Sequence, residues 1–333
     1  MKTVLVTGAN GHLGYSLVKL LKEKGYSVKA SVRDLNDPKK TAALKQLGVE
    51  LVYADLMNKP SLLEALKGVD GLFQVAAAFN LTSDHPEEEV IRPNVEGTKN
   101  IIEAAYTCGV KKIVYTSSIA AVGAVKKGEA PLNETHWNER GIEPYAISKT
   151  KSEKLAWELA KQYGISLVTI LPGTMIGPDF TEPTDSLVLI RDILQGKLPM
   201  APKMSFSYVD VRDVALAHIA AYENDSASGR YIATGDTHSV LELAQMIKKI
   251  RPKTKAPKGE SPSFLVRMMP FFDYLQHKIT GSERTLKKEI LQEYLEKIQV
   301  YDSNRLKNEF QWKRRPLENS LRETVDWMLP LPV

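Results

Sequence analysis

Short apolar runs alternate with longer amphipathic segments through the first half of the chain. The runs TVLVTG, YSVKASV and VELVYADL are rich in β-branched residues, which strands favour. Between them, YSLVKLLKEKG and KKTAALKQLG place apolar side chains at helical spacing. Strands that alternate with helices in this way predict an α/β fold, a doubly wound parallel sheet with helices on both faces.

The alternation continues as far as Pro172 and then loosens into GTMIGPDFTEPTDS, a helical pattern in VLIRDILQGK and a strand pattern in RYIATG. The C-terminal part of the chain is more helical. We interpret it as a smaller, mostly helical lobe over the carboxyl edge of the sheet, where ligands of open α/β folds bind. Before Pro172 the remaining predicted elements are SLLEALKGV, GLFQVAAA, a helix near NVEGTKNIIEAAYTCG, the strand KKIVYTSS, a long helix from Pro144 to Gly164 and the strand SLVTILPG.

The composition excludes several classes of protein. With 43% hydrophobic and 26% charged residues, the 333-residue chain matches an ordinary globular protein. The net charge of +5 is spread over lysine-rich helices with interleaved acids, so no nucleic-acid track is expected. Cys108 is the only cysteine, which excludes an internal disulfide. We see no signal peptide or apolar run of about 20 residues, and expect a cytoplasmic protein without a membrane span.

A glycine-rich turn joins the first strand to the first helix. Gly8, Gly11 and Gly14 are spaced G-x-x-G-x-x-G, whereas the commonest dinucleotide fingerprint is G-x-G-x-x-G. Such a turn lets backbone N–H groups and the helix N-terminus face a pyrophosphate. Glycines also end strands for conformational reasons alone. The position of this turn between VLV and an amphipathic helix favours phosphate binding.

A tyrosine and a lysine share one face of the long helix. Tyr145 and Lys149 in PYAISK are four residues apart, and Pro144 suits the first helical turn, so the positive end of the helix dipole lies at Tyr145. The dipole and the ammonium favour the ionised form and so lower the pKa of the phenol, which makes it a stronger proton donor to a carbonyl oxygen. A surface Tyr and Lys on an ordinary helix is the alternative for this spacing alone.

The strand before that helix ends in two serines, Ser117 and Ser118. Serines at strand ends are often only turn formers, but this strand should open onto the same crevice as Tyr145. Together the glycine turn, the serines and YxxxK resemble the short-chain dehydrogenase/reductase superfamily and its extended branch, which contains epimerases, dehydratases and reductases. TGxxGxxG is that superfamily's form of the fingerprint.

The resemblance covers essentially the whole chain. NVEGT, LPGTMIGP, YVDVRDVALAHI and the closing YDSNRLKNEFQWKRRPLENSLRETVDWM look like the extended branch, and VRDLNDPKK, ADL and LNETHWNE resemble the dihydroflavonol 4-reductase-like reductases. This likeness implies an NADP-binding Rossmann domain at 1–171, completed by about 203–233, and a substrate-binding lobe at 172–202 and 234–333.

The resemblance also implies roles for individual residues. Tyr145 is expected to be the general acid, Lys149 to bind the nicotinamide ribose and depress the Tyr145 pKa, and Ser118 to hold the carbonyl oxygen. The residues implied to bind the cofactor are Gly8, Asn10, Gly11, His12, Leu13 and Gly14 along the phosphates, Asp55 and Leu56 at the adenine, Val75, Ala76 and Ala77 beyond it, Tyr145 and Lys149 themselves, and Pro172 and Thr174 over the nicotinamide.

The end of the second strand indicates which cofactor is used. Relatives that prefer NAD place an Asp there, which would repel a 2′-phosphate. This chain has Val32 followed by Arg33, and Lys40 matches a second phosphate-binding residue of the flavonol reductases. Asp34 is the contrary sign, one residue past the usual place. We therefore expect NADP(H).

The leading hypothesis is an NADPH-dependent carbonyl reductase for an aldehyde or ketone, with hydride from NADPH C4 and the proton from Tyr145. One alternative is an NAD-dependent nucleotide-sugar epimerase or dehydratase, although dehydratases carry an acidic pair where this chain has 119–121. An alternative of another class is a non-catalytic NADP-sensing protein, against which the intact Ser118, Tyr145 and Lys149 argue. The expected partner is a small-molecule carbonyl substrate, and the protein is expected to be a monomer or a homodimer. No histidine pattern predicts a metal.

Two features bear on the substrate. Gly123 stands where the flavonol reductases place an Asn that reads ring hydroxyls, so flavonol specificity is not expected. In the stretch SPSFLVRMMPFFDYLQHKITG we expect an adaptable apolar cover over the substrate pocket, with packing of the lobe's own core as the alternative. The side chains concerned are Phe264, Met268, Met269, Phe271 and Phe272.

Overall fold

The computed structural model describes residues 2–179, 184–282 and 284–329. Its strands form a main parallel sheet and a small second sheet. The strands are β1 (Thr3–Val6), β2 (Ser27–Val32), β3 (Glu50–Tyr53), β4 (Gly71–Gln74), β5 (Lys112–Thr116), β6 (Val125–Lys126), β7 (Ser166–Pro172), β8 (Thr174–Ile176), β9 (Ser205–Asp210), β10 (Gly229–Ala233), β11 (Thr237–Ser239) and β12 (Lys297–Ile298).

Helices cover both faces of the main sheet and make up most of the C-terminal part. A π-helical turn at Glu87–Ile91 and a 3₁₀ turn at Ile119–Ala121 complete the elements. The α-helices are α1 (His12–Glu23), α2 (Pro38–Gln46), α3 (Lys59–Ala65), α4 (Arg92–Thr107), α5 (Pro144–Tyr163), α6 (Asp185–Leu194), α7 (Val211–Glu223), α8 (Val240–Ile250), α9 (Ser263–Thr280), α10 (Lys288–Tyr294), α11 (Asn304–Phe310) and α12 (Leu317–Met328).

The main sheet has the predicted doubly wound topology. In the described residues its strand order is β10-β7-β5-β4-β1-β2-β3, and every pair is parallel. The chain leaves β1 in both directions, so the crevice of the fold opens between the carboxyl ends of β1 and β4. The glycine turn begins at this point.

Successive side chains of the central strands are buried on opposite faces of the main sheet. On β1, Val4 and Val6 belong to one apolar cluster with α1 and α7, while Leu5 belongs to another with α3, α4 and α5. β5 repeats the pattern, with Val114 on the first face and Ile113 on the second. A parallel sheet covered by helices on both sides requires this near-continuous apolar sequence, and the prediction from the strand patterns is confirmed.

The second sheet was not predicted. Its order is β11-β9-β12-β6, with β8 paired to β9. Apart from β9, these strands have only two or three residues each, too short for an alternating pattern to show in the sequence. The division into a Rossmann domain and a substrate lobe stays a prediction. Strand β10 belongs to the main sheet, and α7 packs on α1 against that sheet.

Helix α9 carries the five aromatic and methionine side chains that we expected over the pocket or in the lobe core. All five are exposed, by 49–64%. The buried residues of α9 are Val266 and Pro270. The alternative of core packing is therefore wrong, and the proposed cover over the substrate pocket stays a prediction. The five are Phe264, Met268, Met269, Phe271 and Phe272.

Within residues 2–179, 184–282 and 284–329, no helix combines the length and the apolar character needed to cross a bilayer.

Candidate active site

The glycine turn has no room for side chains and leaves its backbone accessible. Gly8 adopts a left-handed conformation, with φ of +62°, and a Cβ there would lie 3.0 Å from the Ala76 Cα. A Cβ on Gly14 would lie 2.1 Å from the Gly8 carbonyl oxygen. Helix α1 follows directly, without an acidic residue in its first turn. The turn therefore fits a pyrophosphate held by backbone N–H groups and a helix N-terminus.

We expect Gly14→Ala to destabilise the fold by about 1 to 3 kcal/mol, because the added methyl group overpacks the turn against backbone atoms. Gly11→Ala is the matched control: its Cβ would lie 3.3 Å from the same Gly8 oxygen, in ordinary backbone conformation. Urea unfolding of the two variants measures the difference. Equal stability losses in both would contradict the tight fit at Gly14.

Thr7 ties the ends of β1 and β4 together. Its buried hydroxyl donates to the Gln74 Oε1 at 2.7 Å and accepts from the backbone N–H groups of Val75 at 2.9 Å and Ala76 at 3.1 Å. Gln74 in turn donates to the Ala76 carbonyl at 2.9 Å. This fixes the predicted cofactor residues Val75 and Ala76 against the glycine turn, and sequence analysis did not assign Thr7 this role.

The side chains of His12 and Leu13 point away from the mouth of the turn. The Nε2 of the buried His12 lies 2.9 Å from the Pro178 carbonyl oxygen, and burial lowers the pKa of the imidazole. Leu13 is part of the core. Both residues therefore have only their backbone N–H groups to offer a phosphate. Asn10 is half-buried in the turn.

Arg33 and Lys40 differ in their surroundings. Arg33 is exposed directly after β2, and it makes no ion pair with any residue that the structure describes. Lys40, in α2, lies 3.4 Å from the Asp37 carboxylate. The carboxylate of Asp34 accepts from the Asn36 N–H at 2.9 Å. Lys40 is therefore partly neutralised by Asp37, whereas Arg33 is not.

Asp55 and Leu56 follow β3. Asp55 accepts from the Met57 N–H at 2.9 Å. Leu56 packs against α4, where a Cβ on Gly97 would lie 2.9 Å from the Leu56 Cβ. Of the other predicted cofactor residues, Ala77 is exposed, Pro172 is buried at the end of β7, and Thr174 is half-buried at the start of β8.

Tyr145 lies in the first turn of α5, fixed by its neighbours. Pro144 begins the helix, and the Glu143 carboxylate caps it by accepting from the N–H groups of Tyr145 at 2.8 Å and Ala146 at 2.9 Å. The Phe79 ring meets the Tyr145 ring edge-on, with centroids 4.4 Å apart. Sequence analysis missed both Glu143 and Phe79.

The environment of the phenol differs from the expected one. Burial raises the pKa of Tyr145 above its ordinary value, and a hydrogen bond with Ser118 opposes this. The expectation that Lys149 depresses this pKa is not what the structure shows. A phenol with a raised pKa stays protonated at neutral pH, which is the form that donates a proton.

Lys149 lies behind the ring, deep in the fold. Its Nζ donates to the Thr116 carbonyl at 3.0 Å and lies 5.8 Å from the Tyr145 ring centroid. Burial lowers the pKa of the ammonium to about 8, although the Glu153 carboxylate opposes the shift. Lys149 therefore sits beside Tyr145, as the helical spacing predicts.

The two serines at the end of β5 have different partners. Ser117 is buried and donates to the Glu153 Oε2 at 2.7 Å. Ser118 is half-buried and accepts from the Ala120 N–H at 3.1 Å, besides its hydrogen bond with Tyr145. The structure thus gives Ser118, rather than Ser117, the position next to the phenol.

Beneath these groups lies a buried ion pair that sequence analysis missed. Arg230 of β10 donates to both Glu153 oxygens, at 2.9 and 3.1 Å, and stacks over the Trp137 ring at 3.7 Å. Thr169 donates to the same carboxylate at 2.7 Å. The pair connects α5, β7 and β10 below Lys149. Glu153 stands four residues after Lys149, so helical spacing was an available signal.

A second buried carboxylate connects the C-terminal part to the segment before helix α5. Glu293 of α10 accepts from the Asn138 side chain and from the Ile142 N–H, both at 2.9 Å. The segment between these two residues leads into Glu143, whose pKa burial raises to about 7. Two buried carboxylates, those of Glu293 and Glu143, therefore fix the backbone just before and at Tyr145 by hydrogen bonds.

The sequence matches a family model described as "NAD dependent epimerase/dehydratase family" over residues 4–234. Cinnamoyl-CoA reductase 1 of Arabidopsis thaliana is 36% identical over 313 residues, which cover 90% of this chain and 89% of that protein. Dihydroflavonol 4-reductase of Callistephus chinensis is 37% identical over 273 residues, or 77% of this chain and 74% of that one. The crystal structure of Gre2 from Candida albicans in complex with NADPH superimposes with a TM-score of 0.77 at 27% identity, over 99% of both chains.

Proposed function

Because this chain belongs to the NAD dependent epimerase/dehydratase family, we propose that it is an NADPH-dependent reductase of aldehydes or ketones, of the dihydroflavonol 4-reductase-like type. The observation that carries the proposal is the place of the Tyr145 phenol in the first turn of α5, beside Ser118 and with the Lys149 Nζ 5.8 Å from its ring centroid. The reductases named among its relatives, and NADPH in the Gre2 complex, support it.

The crevice fits a dinucleotide. The glycine turn offers an anion the N–H groups of a tightly packed backbone, in which a Cβ at Gly8 or Gly14 would collide with neighbouring main-chain atoms. Arg33 would take the 2′-phosphate, with Lys40 as a second cation. When bound, the nicotinamide supplies a hydride to the carbonyl carbon. The other residues proposed to hold the cofactor are Asn10, Gly11, His12, Leu13, Asp55, Leu56, Val75, Ala76, Ala77, Tyr145, Lys149, Pro172 and Thr174.

The chain's own residues complete the reduction. Tyr145 donates its proton to the carbonyl oxygen, and Ser118 orients that oxygen by donating a hydrogen bond to it. Lys149 holds the ribose hydroxyls. Phe79 covers one edge of the phenol ring and limits the access of water to it.

The surroundings of Tyr145 favour an apolar or aromatic carbonyl compound. Phe79 is 37% exposed beside the phenol and offers a ring for contact. Gly123 has no side chain to read ring hydroxyls, and its carbonyl accepts from the Tyr301 hydroxyl. We propose an aldehyde or ketone of moderate size, without flavonol specificity.

Steady-state turnover tests the proposal. The purified protein, given NADPH and a panel of aromatic and aliphatic aldehydes, is expected to consume NADPH in step with alcohol formation. Epimerisation of a nucleotide sugar with NAD, and no aldehyde turnover, would support the epimerase instead. NADPH binding without any turnover would support a sensor. The buried 3₁₀ turn at Ile119–Ala121, which lacks an acid, argues against a dehydratase.

We expect Arg33→Ala to shrink the preference for NADPH over NADH about tenfold or more, since a charge-assisted contact contributes about 1.5 to 3 kcal/mol. Lys40→Ala is the comparison, and its effect should be smaller because Asp37 already pairs with Lys40. Fluorescence titration with each coenzyme measures both variants. Equal affinity of the unaltered protein for NADPH and NADH would contradict the assignment of Arg33.

A further inference from the structure

Helix α9 turns its apolar face to solvent. Val266 and Pro270 lie on the buried side. At 3.6 residues per turn, seven apolar side chains fall within an arc of about 120° on the opposite side. They are 46–75% exposed. This outer stripe consists of Phe264, Leu265, Met268, Phe271, Phe272, Leu275 and Ile279.

Such a stripe is unusual on a protein surface. Scattered exposed apolar residues are ordinary, but a contiguous patch of aromatic and aliphatic side chains marks a site of interaction. The helix is anchored, because Val266 packs with Leu291 and Leu295, and Asp273 accepts from the Thr285 N–H at 2.9 Å and the Arg284 side chain at 2.5 Å. These contacts hold the stripe outward.

A run of positive charge precedes the helix. Residues 248–258, KKIRPKTKAPK, contain six cations and no acid. All six cations are exposed, and none forms an ion pair with a residue in the described ranges. The run ends at Lys258, five residues before α9, and five residues span at most about 18 Å. The exposed basic run therefore leads, within a few residues, into the helix that carries the outer stripe.

We propose that α9 lies in the surface of an anionic phospholipid bilayer, with the outer stripe among the acyl chains and the basic run on the headgroups. Interfacial helices combine an apolar face rich in Phe and Leu with neighbouring basic residues. Lys278 is exposed beside the stripe, and its long stem allows the charged end to reach headgroups. The protein binds this surface peripherally, without spanning the bilayer.

The charges favour lipid over a second copy of the chain. The outer stripe of a second copy consists of apolar side chains alone, so it offers the cations of the basic run no opposite charge. An anionic membrane instead attracts each Lys or Arg near its surface with about 1 kcal/mol. This inference goes beyond carbonyl reduction and does not depend on it.

Co-sedimentation with vesicles tests the proposal. The full chain is expected to sediment with vesicles of equal parts phosphatidylcholine and phosphatidylglycerol, and to stay largely in solution with phosphatidylcholine alone. Added salt should release it, because salt screens the basic run. Sedimentation with both vesicles alike, or with neither, would overturn the proposal.

Two sets of variants separate the stripe from the charges. The double variant Phe271→Gln, Phe272→Gln should lower the partition coefficient at least about tenfold. The triple variant Lys253→Gln, Lys255→Gln, Lys258→Gln should lower it by about tenfold or more on anionic vesicles. Tyr106→Gln, an exposed aromatic on α4, is the control and should bind like the unaltered protein.

The fold of the variants and the oligomeric state of the protein are measured as well. Circular dichroism and the thermal midpoint should match the unaltered protein, because the substituted side chains contact solvent. If the Phe variants bind vesicles unchanged, the stripe is not the docking site. If analytical ultracentrifugation shows a dimer that the Phe variants dissolve, a second copy covers the stripe and the lipid proposal is wrong.

Discussion

We expect Tyr145→Phe to lower the turnover of a carbonyl substrate by about 10² to 10⁴-fold while NADPH affinity stays nearly unchanged. The substitution keeps the ring and its edge-on contact with Phe79. It removes only the hydroxyl that hydrogen-bonds with Ser118 and would donate the proton. The phosphates and adenine are held elsewhere in the crevice, so the cofactor should still bind.

Steady-state kinetics with a reducible aldehyde and direct titration with NADPH measure the two effects separately. Tyr163→Phe is the matched control, since it removes a hydroxyl at the other end of the same helix, about 27 Å away. If Tyr145→Phe kept more than roughly a tenth of the activity, proton donation by the phenol would be the wrong mechanism.

Lys149→Met should weaken both turnover and cofactor binding. The variant keeps an apolar stem of similar length, but it removes the ammonium that lies beside the Tyr145 ring and is proposed to hold the ribose. Loss of one charge-assisted hydrogen bond corresponds to roughly 10- to 100-fold weaker NADPH binding. Lys154→Met, on the exposed side of the same helix, should leave both quantities unchanged.

The same residue gives a pH dependence. Because burial lowers the pKa of Lys149 to about 8, the ammonium loses its proton as the pH rises through that value. NADPH affinity should therefore fall on the alkaline side of about pH 8 in the unaltered protein and change much less in Lys149→Met. Calorimetric titrations across this range measure it. If NADPH affinity of the unaltered protein did not change with pH in this range, the proposal that Lys149 binds the ribose would be wrong.

The features that sequence analysis predicted correctly are those with a local repeat. β-branched runs between helical patterns identified the parallel sheet, and a spacing of four residues identified the neighbours Tyr145 and Lys149. The turn between β1 and α1 was predictable because its glycines occur within a few residues of one another. Each of these depends on short stretches of chain, where side-chain direction follows from secondary structure.

The rest of the candidate site depends on distant contacts. Glu293 accepts a hydrogen bond from Ile142, about 150 residues away in the chain, and no spacing in the sequence predicts such a pair. Glu143 caps α5 although Glu is not a favoured capping residue. The composition of α9 indicated an apolar helix, but the sequence alone did not say that its apolar face turns away from the lobe.

The two hydrogen bonds that Glu293 accepts matter for the design of chimeras between this chain and its relatives. The segment before Tyr145 takes its shape partly from a carboxylate on α10, which lies far along the chain. A chimera whose α10 carries no acid at position 293 would lose the acceptor for the Ile142 N–H and the Asn138 amide. Residues 138–146 and α10 therefore depend on each other structurally, and a chimera should keep the geometry around Tyr145 best when both come from the same parent.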